Sequence, residues 1–254
     1  MKIKLLPSNI DANLQTFTTF LINDEVTIDA GSLAVALTPA EMAAIGHVIV
    51  THTHNDHIAS LPVLIAEAFT HLETPVMIYG IEEVITGLQA HIFNDAISPD
   101  FTKIHLAGTN DGAIRYQTLE PRKRIDIGGL QVTPIPVNHT VPSCGMMVED
   151  QTATVIFSAD TYVTDELWQV ASDAANLKAI FVDVSYPNEL EGLARVAKHF
   201  TPESLAGDLQ KLKCEAEIYA MHIKPSHHRQ VIAQLRALNH PRLFIAEVGR
   251  VYEW

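Results

Sequence analysis

Cysteine is scarce in this chain of 254 residues: Cys144 and Cys214 stand alone and are too few for a disulfide framework. Cys214 precedes an apolar run and reads as a small buried residue. Positive charge is scarce too. Lys and Arg number 17 against 30 Asp and Glu, a net charge of −13, which argues against a broad nucleic-acid surface. No apolar run approaches the roughly 20 residues that cross a bilayer. Met1 to Leu6 is basic and apolar, but Pro7 and Asn9 interrupt it before a signal-peptide core forms. The expected location is the cytoplasm, or the periplasm for a chain already trimmed of a signal peptide. No linker or low-complexity tract interrupts the sequence. One domain over residues 1–254 is expected, with 47% hydrophobic residues to fill its core.

Histidine, by contrast, is abundant at 13 residues, and the excess has a focus. Residues 47–58 read His-Val-Ile-Val-Thr-His-Thr-His-Asn-Asp-His-Ile. The run Val48-Ile49-Val50 predicts a buried strand, and Ser60-Leu61-Pro62 predicts the start of a helix. Between them lie His52, His54, Asp56 and His57, in the kind of strand-to-helix loop where function concentrates. Alternation points His52 and His54 the same way, while Asp56 and His57 turn toward a second point nearby. One short loop can therefore feed two adjacent metal ions.

Along the chain, strands are expected over 2–6, 14–22 and 26–29, with Asn23-Asp24 as a turn. Thr38-Pro39-Ala40-Glu41 is a capping box with proline at the first helical position. Helices are expected over 60–72 and 81–93, with a strand over 75–79 between them. Strands over 113–119, 123–127, 130–137, 145–149 and 153–159 follow, Gly128-Gly129 turning one hairpin. Then come helix 165–175, strand 179–184, helix 189–199, a helix capped by Thr201-Pro202, strand 217–222, helix 227–238 and strand 242–251. Two mixed halves of this kind predict an α/β fold in which two sheets are sandwiched between outer helices.

Three further ligand candidates each follow an apolar strand: His139, Asp160 and His222. With the loop they make seven ligands, of which Asp160 can bridge. Imidazole and carboxylate without cysteine suit two divalent ions, Zn2+ first and Mn2+ or Fe2+ next. Such a pair, about 3.5–4 Å apart, generates a nucleophile at neutral pH and clamps both oxygens of a displacement at phosphorus. It would also reverse the local charge, so the acidic chain can still take a small anion.

His52-Thr53-His54-Asn55-Asp56-His57, followed in order by His139, Asp160 and His222, resembles the metallo-β-lactamase superfamily over nearly the whole chain. The resemblance implies a four-layer αββα sandwich with a dinuclear site at one edge of the sheets. His91 to Asp100, Asn138-His139, Ser143-Cys144-Gly145, Phe157 to Thr161, Asp183 to Asn188, Lys198 to Pro202 and Met221 to Pro225 are similar to the class II cyclic-nucleotide phosphodiesterases. Ser98, where that family tends to carry tryptophan, departs from the pattern on the substrate side. Ala59-Ser60 stand where glycine usually follows the last histidine.

The resemblance implies that His52, His54, His139 and Asp160 hold one metal, and that Asp56, His57, His222 and the shared Asp160 hold the other. It implies hydrolysis of 3′,5′-cyclic AMP or GMP to the 5′-nucleotide by a hydroxide shared between the ions. His199 is the candidate general acid and Asp56 a proton relay; a cationic helix end is the structural alternative for His199. Asn94 and Asp95 are candidate contacts to base or ribose, though a helix cap explains them as well. Lys224 is a candidate for the phosphate. His227 and His228 read as surface. The expected partner is a small cyclic nucleotide, with neither nucleic acid nor membrane, and a homodimer is left open. Two rivals remain: a ribonuclease Z-like tRNA processing enzyme, and a protein that binds metal and nucleotide without turnover.

Overall fold

A computed structural model describes residues 1–8 and 14–254. Asn9, one of the two breaks in the apolar N-terminal stretch, lies outside the described residues. The strands are β1 (Lys2–Leu5), β2 (Phe20–Ile22), β3 (Val26–Ile28), β4 (His47–Ile49), β5 (Val76–Gly80), β6 (Ile114–Thr118) and β7 (Ile125–Ile127). They continue with β8 (Leu130–Pro136), β9 (Cys144–Glu149), β10 (Thr154–Phe157), β11 (Leu177–Asp183), β12 (Glu217–Met221), β13 (Leu243–Ile245) and β14 (Val251–Glu253). The helices are α1 (Leu33–Ala36), α2 (Pro39–Ala43), α3 (Asn55–Ile58), α4 (Leu61–Ala68), α5 (Glu82–His91), α6 (Glu166–Asp173), α7 (Glu191–Ala197), α8 (Pro202–Leu209) and α9 (His228–Ala237).

Among the described residues the strands form two seven-stranded sheets, ordered β14-β1-β2-β3-β4-β5-β6 and β13-β12-β11-β10-β9-β8-β7. Each is mixed in the same way. Antiparallel pairs join β14 to β3 in the first sheet and β7 to β10 in the second, and parallel pairs complete each. Alternation along the strands then decides the layers. Val155, Phe157, Ala179, Phe181, Tyr219 and Met221 point between the sheets, where Phe20 meets Phe157 and Phe181 with ring centroids 4.8 and 4.9 Å apart. Their neighbours Ile156, Ile180, Val182, Ile218 and Ala220 face outward onto Trp168 of α6, Leu205 of α8 and Val231 and Leu235 of α9. The α/β sandwich of four layers, αββα, is the architecture found.

Both capping boxes form. Thr38 Oγ1 accepts from the Glu41 amide, and Thr201 Oγ1 from that of Ser204. Among the described residues, no helix is long and apolar enough to cross a membrane.

Four expectations need correction. The strand expected over 14–22 is a strand only at Phe20–Ile22, because the Thr18 amide and carbonyl bond to Asp56 and Gly31 instead. The strand expected over 242–251 is two strands at the edges of opposite sheets. The chain turns between them at Gly249, whose φ of +82° is open to glycine. Asp56 and His57 lie on the short helix α3 rather than in an extended loop. Cys214 is half-buried, its thiol directed at the Ala171 carbonyl 3.5 Å away.

Candidate metal centre

The site residues collect where strands running the same way come to their carboxyl ends. β4 leads into His52, β8 into His139, β10 into Asp160 and β12 into His222, while α3 brings Asp56 and His57 back under the loop. His52, His54, His139 and Asp160 offer ligand atoms that all lie within 4.8 Å of one another, and so do Asp56, His57 and His222. Asp160 stands between these groups. Its Oδ2 is 3.6 Å from His52 Nε2 and 3.9 Å from His139 Nε2; its Oδ1 is 3.3 Å from His57 Nε2 and 3.6 Å from His222 Nδ1. One carboxylate thus turns one oxygen toward each group.

The donors fit divalent cations better than they fit one another. His52 Nε2, His57 Nε2 and Asp160 Oδ1 are buried and make no hydrogen bond. Buried polar atoms are seldom left so. The short approach of His57 to Asp160 lacks hydrogen-bond alignment, so the atoms converge on a common point. His139 Nε2 likewise lies 3.1 Å from His54 Nδ1, two nitrogens facing a shared space.

Most of the imidazoles are aimed from behind. His57 Nδ1 donates to Asp29 at 2.6 Å, His139 Nδ1 to the Lys198 carbonyl at 3.2 Å, and His52 Nδ1 meets Thr51 Oγ1 at 3.0 Å. His222 Nδ1 meets Ser185 Oγ at 2.9 Å, and the His222 amide donates to Gln15 Oε1 at 2.7 Å. Such outer partners fix tautomer and ring orientation around a metal. Asp29 also accepts from the amide and hydroxyl of Thr51, so one buried carboxylate braces both ends of the loop.

Backbone strain marks the same places. Asp29, Ala159, Lys198 and His222 have φ between +55° and +61°, a region side chains with a Cβ rarely occupy. Each is a site residue or stands immediately before one, or carries its orienting carbonyl.

The charges are strongly coupled. Burial opposes the charged form of His57, but Asp160 and Asp29 outweigh it and hold the ring well above the ordinary histidine range. His222 is opposed by burial too, and Asp160 raises it to about 9. Burial and the neighbouring His57 push His52 well below its usual value. Asp160 and Asp56 both resist burial and are held below the carboxylate range, Asp160 by His222 and His57, Asp56 by His222. A divalent ion bound by such a cluster would take the place of protons on its imidazoles.

His199 is buried rather than a cationic helix end. Lys198 is the left-handed cap of α7, and His199 beyond it places Nδ1 2.7 Å from Asp183 Oδ2 and 3.9 Å from Asp160 Oδ2. Asp183 in turn accepts from Ser185 Oγ at 2.8 Å and from the Thr161 amide at 3.2 Å. Lys224 Nζ lies 3.1 Å from Asp56 Oδ2, the oxygen that also stands 3.2 Å from His222 Nε2.

Asn94 and Asp95 are not brought into this cluster. Asn94 donates to the Ala90 carbonyl and accepts from the amides of Ala96 and Ile97; Asp95 accepts from the Asp100 amide and pairs with Lys103. Both side chains are engaged in the turn that ends α5. Sequence reasoning passed over Asp29, Asp183 and Ser185 as functional residues. Asp183 carried a usable signal, since it ends an apolar strand just as Asp160 does.

The beta-lactamase superfamily domain model matches residues 22–223. A 3′,5′-cyclic-nucleotide phosphodiesterase of Schizosaccharomyces pombe is 26% identical over 218 residues, 78% of this chain and 60% of that protein. A ribonuclease Z of Shouchella clausii is 31% identical over 114 residues, 44% of this chain and 33% of that protein. The chain therefore spans less than two thirds of either relative. Among solved structures, unliganded yeast PDE1 superposes with a TM-score of 0.81 at 18% identity, over 98% of each chain. The family match takes in all seven candidate ligands, from the loop after β4 to the residue that follows β12, and the chain belongs to the beta-lactamase superfamily.

Proposed function

We propose that the protein is a dinuclear-metal phosphodiesterase that opens 3′,5′-cyclic AMP or cyclic GMP to the 5′-nucleotide. The observation that carries the hydrolytic centre is the position of Asp160, one oxygen toward each ligand group. The cyclic-nucleotide substrate is supported by the extent of similarity to the Schizosaccharomyces pombe phosphodiesterase, which runs over 78% of the chain.

His52, His54, His139 and Asp160 would hold one ion and Asp56, His57, His222 and Asp160 the other, with zinc favoured by the imidazole-rich set. Bound there, the pair would supply Lewis acidity to phosphate oxygens and a nucleophile at neutral pH. The chain's own residues handle charge and protons. Lys224 draws the anionic phosphate toward Asp56 and His222. Water adds to phosphorus as the bond to the 3′ oxygen breaks. Asp56 accepts the proton the water gives up, and His199 delivers one to the departing oxygen. Because Asp183 accepts from Nδ1–H, the proton that His199 exchanges sits on Nε2.

A ribonuclease Z-like activity is the second reading, favoured by the 31% identity over 114 residues. The net charge of −13 speaks against a tRNA-sized polyanion. Incubating the purified protein with cyclic AMP, cyclic GMP and a pre-tRNA side by side separates the two. The expected result is 5′-AMP or 5′-GMP with intact pre-tRNA; cleaved pre-tRNA with both cyclic nucleotides untouched would reverse the assignment. Tight nucleotide binding without product would point to a binding protein.

A further inference from the structure

We propose that Tyr186 and His227 form the wall against which the nucleobase stacks, an inference that rests on the cyclic-nucleotide reading above. Four rings run in series outward from the ligand cluster. His222 and His199 stack with centroids 5.6 Å apart and planes 12° from parallel. Tyr186 stands edge-on to His199 at 5.7 Å, and His227 lies 6.0 Å beyond Tyr186. The first two rings are buried and the last two half-buried, so the series leads from the reacting centre to solvent. A 3′,5′-cyclic nucleotide is short and rigid, with phosphate at one end and base at the other. With its phosphate beside His199 and His222, the next rings available to its base are Tyr186 and His227.

Charge agrees with this direction. Beyond His227 opens a hollow of about 680 Å³, lined by Leu14, Pro225 and Ser226, then by His228, Arg229 and Gln230. Among the described residues no carboxylate lines it. Arg229 offers donors to the edge of a base there. Aromatic faces accept any base, so the wall would serve adenine or guanine alike.

Tyr186→Ala is expected to raise KM for cyclic AMP about tenfold while kcat and bound metal change little. Tyr186→Phe, which keeps the ring face, should restore the wild-type KM. His227→Ala, at a half-buried position, should raise KM in the same sense and serves if Tyr186→Ala fails to fold. On a base-free ribose 3′,5′-cyclic phosphate, the KM of each alanine variant should match that of the wild type. Unchanged KM for cyclic AMP in both alanine variants, or an equal rise on the base-free substrate, overturns the stacking wall. Should the wild type hydrolyse no cyclic nucleotide, the reaction assigned above fails, and calorimetry with 5′-AMP decides the wall separately. Binding weakened by Tyr186→Ala upholds it; binding that is absent, or indifferent to the substitution, overturns it.

Discussion

Gly31→Ala will cost the protein the loop that carries Asp56 and His57. A Cβ built on Gly31 falls 2.0 Å from the Asp56 carbonyl oxygen and 2.9 Å from both the nitrogen and the oxygen of Thr18. These are backbone atoms and none can swing aside. The Asp56 carbonyl accepts from the Thr18 amide at 2.8 Å, the Ala30 amide donates to the His57 carbonyl at 2.7 Å, and the Gly31 amide donates to Thr18 at 3.1 Å. The methyl group must therefore push α3 away from the segment at 30–31, carrying Asp56 and His57 with it. Destabilisation of about 4 kcal/mol or more is expected, with Tm lower by roughly 10 °C. Bound metal should fall with it, because the second ligand group moves. Thermal unfolding together with metal analysis checks both; wild-type values for each would show that the loop is not held as described.

His199→Ala should lower kcat by about 10²–10⁴-fold, the usual contribution of a positioned acid, and leave bound metal at the wild-type level. The two readouts separate its competing roles. A ligand would take metal with it; a charged helix end would cost stability and leave turnover alone. The structure favours the acid, because His199 is 6% exposed, lies past the helix rather than in its last turn, and is fixed by Asp183. Full turnover in the variant would remove His199 from the chemistry.

How much of this was legible in the sequence depended on whether the signal was local. The loop at 52–57 declares itself because four ligands fall within six residues. His139, Asp160 and His222 could be found because each interrupts an apolar strand at its end. Asp29 could not, since an Asp before Ala-Gly-Ser reads as an ordinary turn. Its partner His57 is close only because β3 and β4 are parallel neighbours. Ser185 lies in the family-like stretch Asp183 to Asn188, but its role is hidden for a similar reason, its hydroxyl reaching His222 across adjacent strand ends. The end of the chain misled in the opposite way. Residues 242–251 are apolar enough for one strand, and only the turn at Gly249 sends β14 across to pair with β1. Composition shows that a stretch is extended; it does not show which sheet receives it.

The central claim is that two divalent ions, held by seven residues of this chain, hydrolyse a cyclic nucleotide. It is tested most directly by stripping the protein with a chelator, returning zinc, manganese or magnesium in measured equivalents, and following 3′,5′-cyclic AMP and cyclic GMP. The account predicts that activity on at least one nucleotide returns as the second equivalent of zinc or manganese binds, with the 5′-nucleotide as product. No hydrolysis of either nucleotide with any of the metals would contradict it.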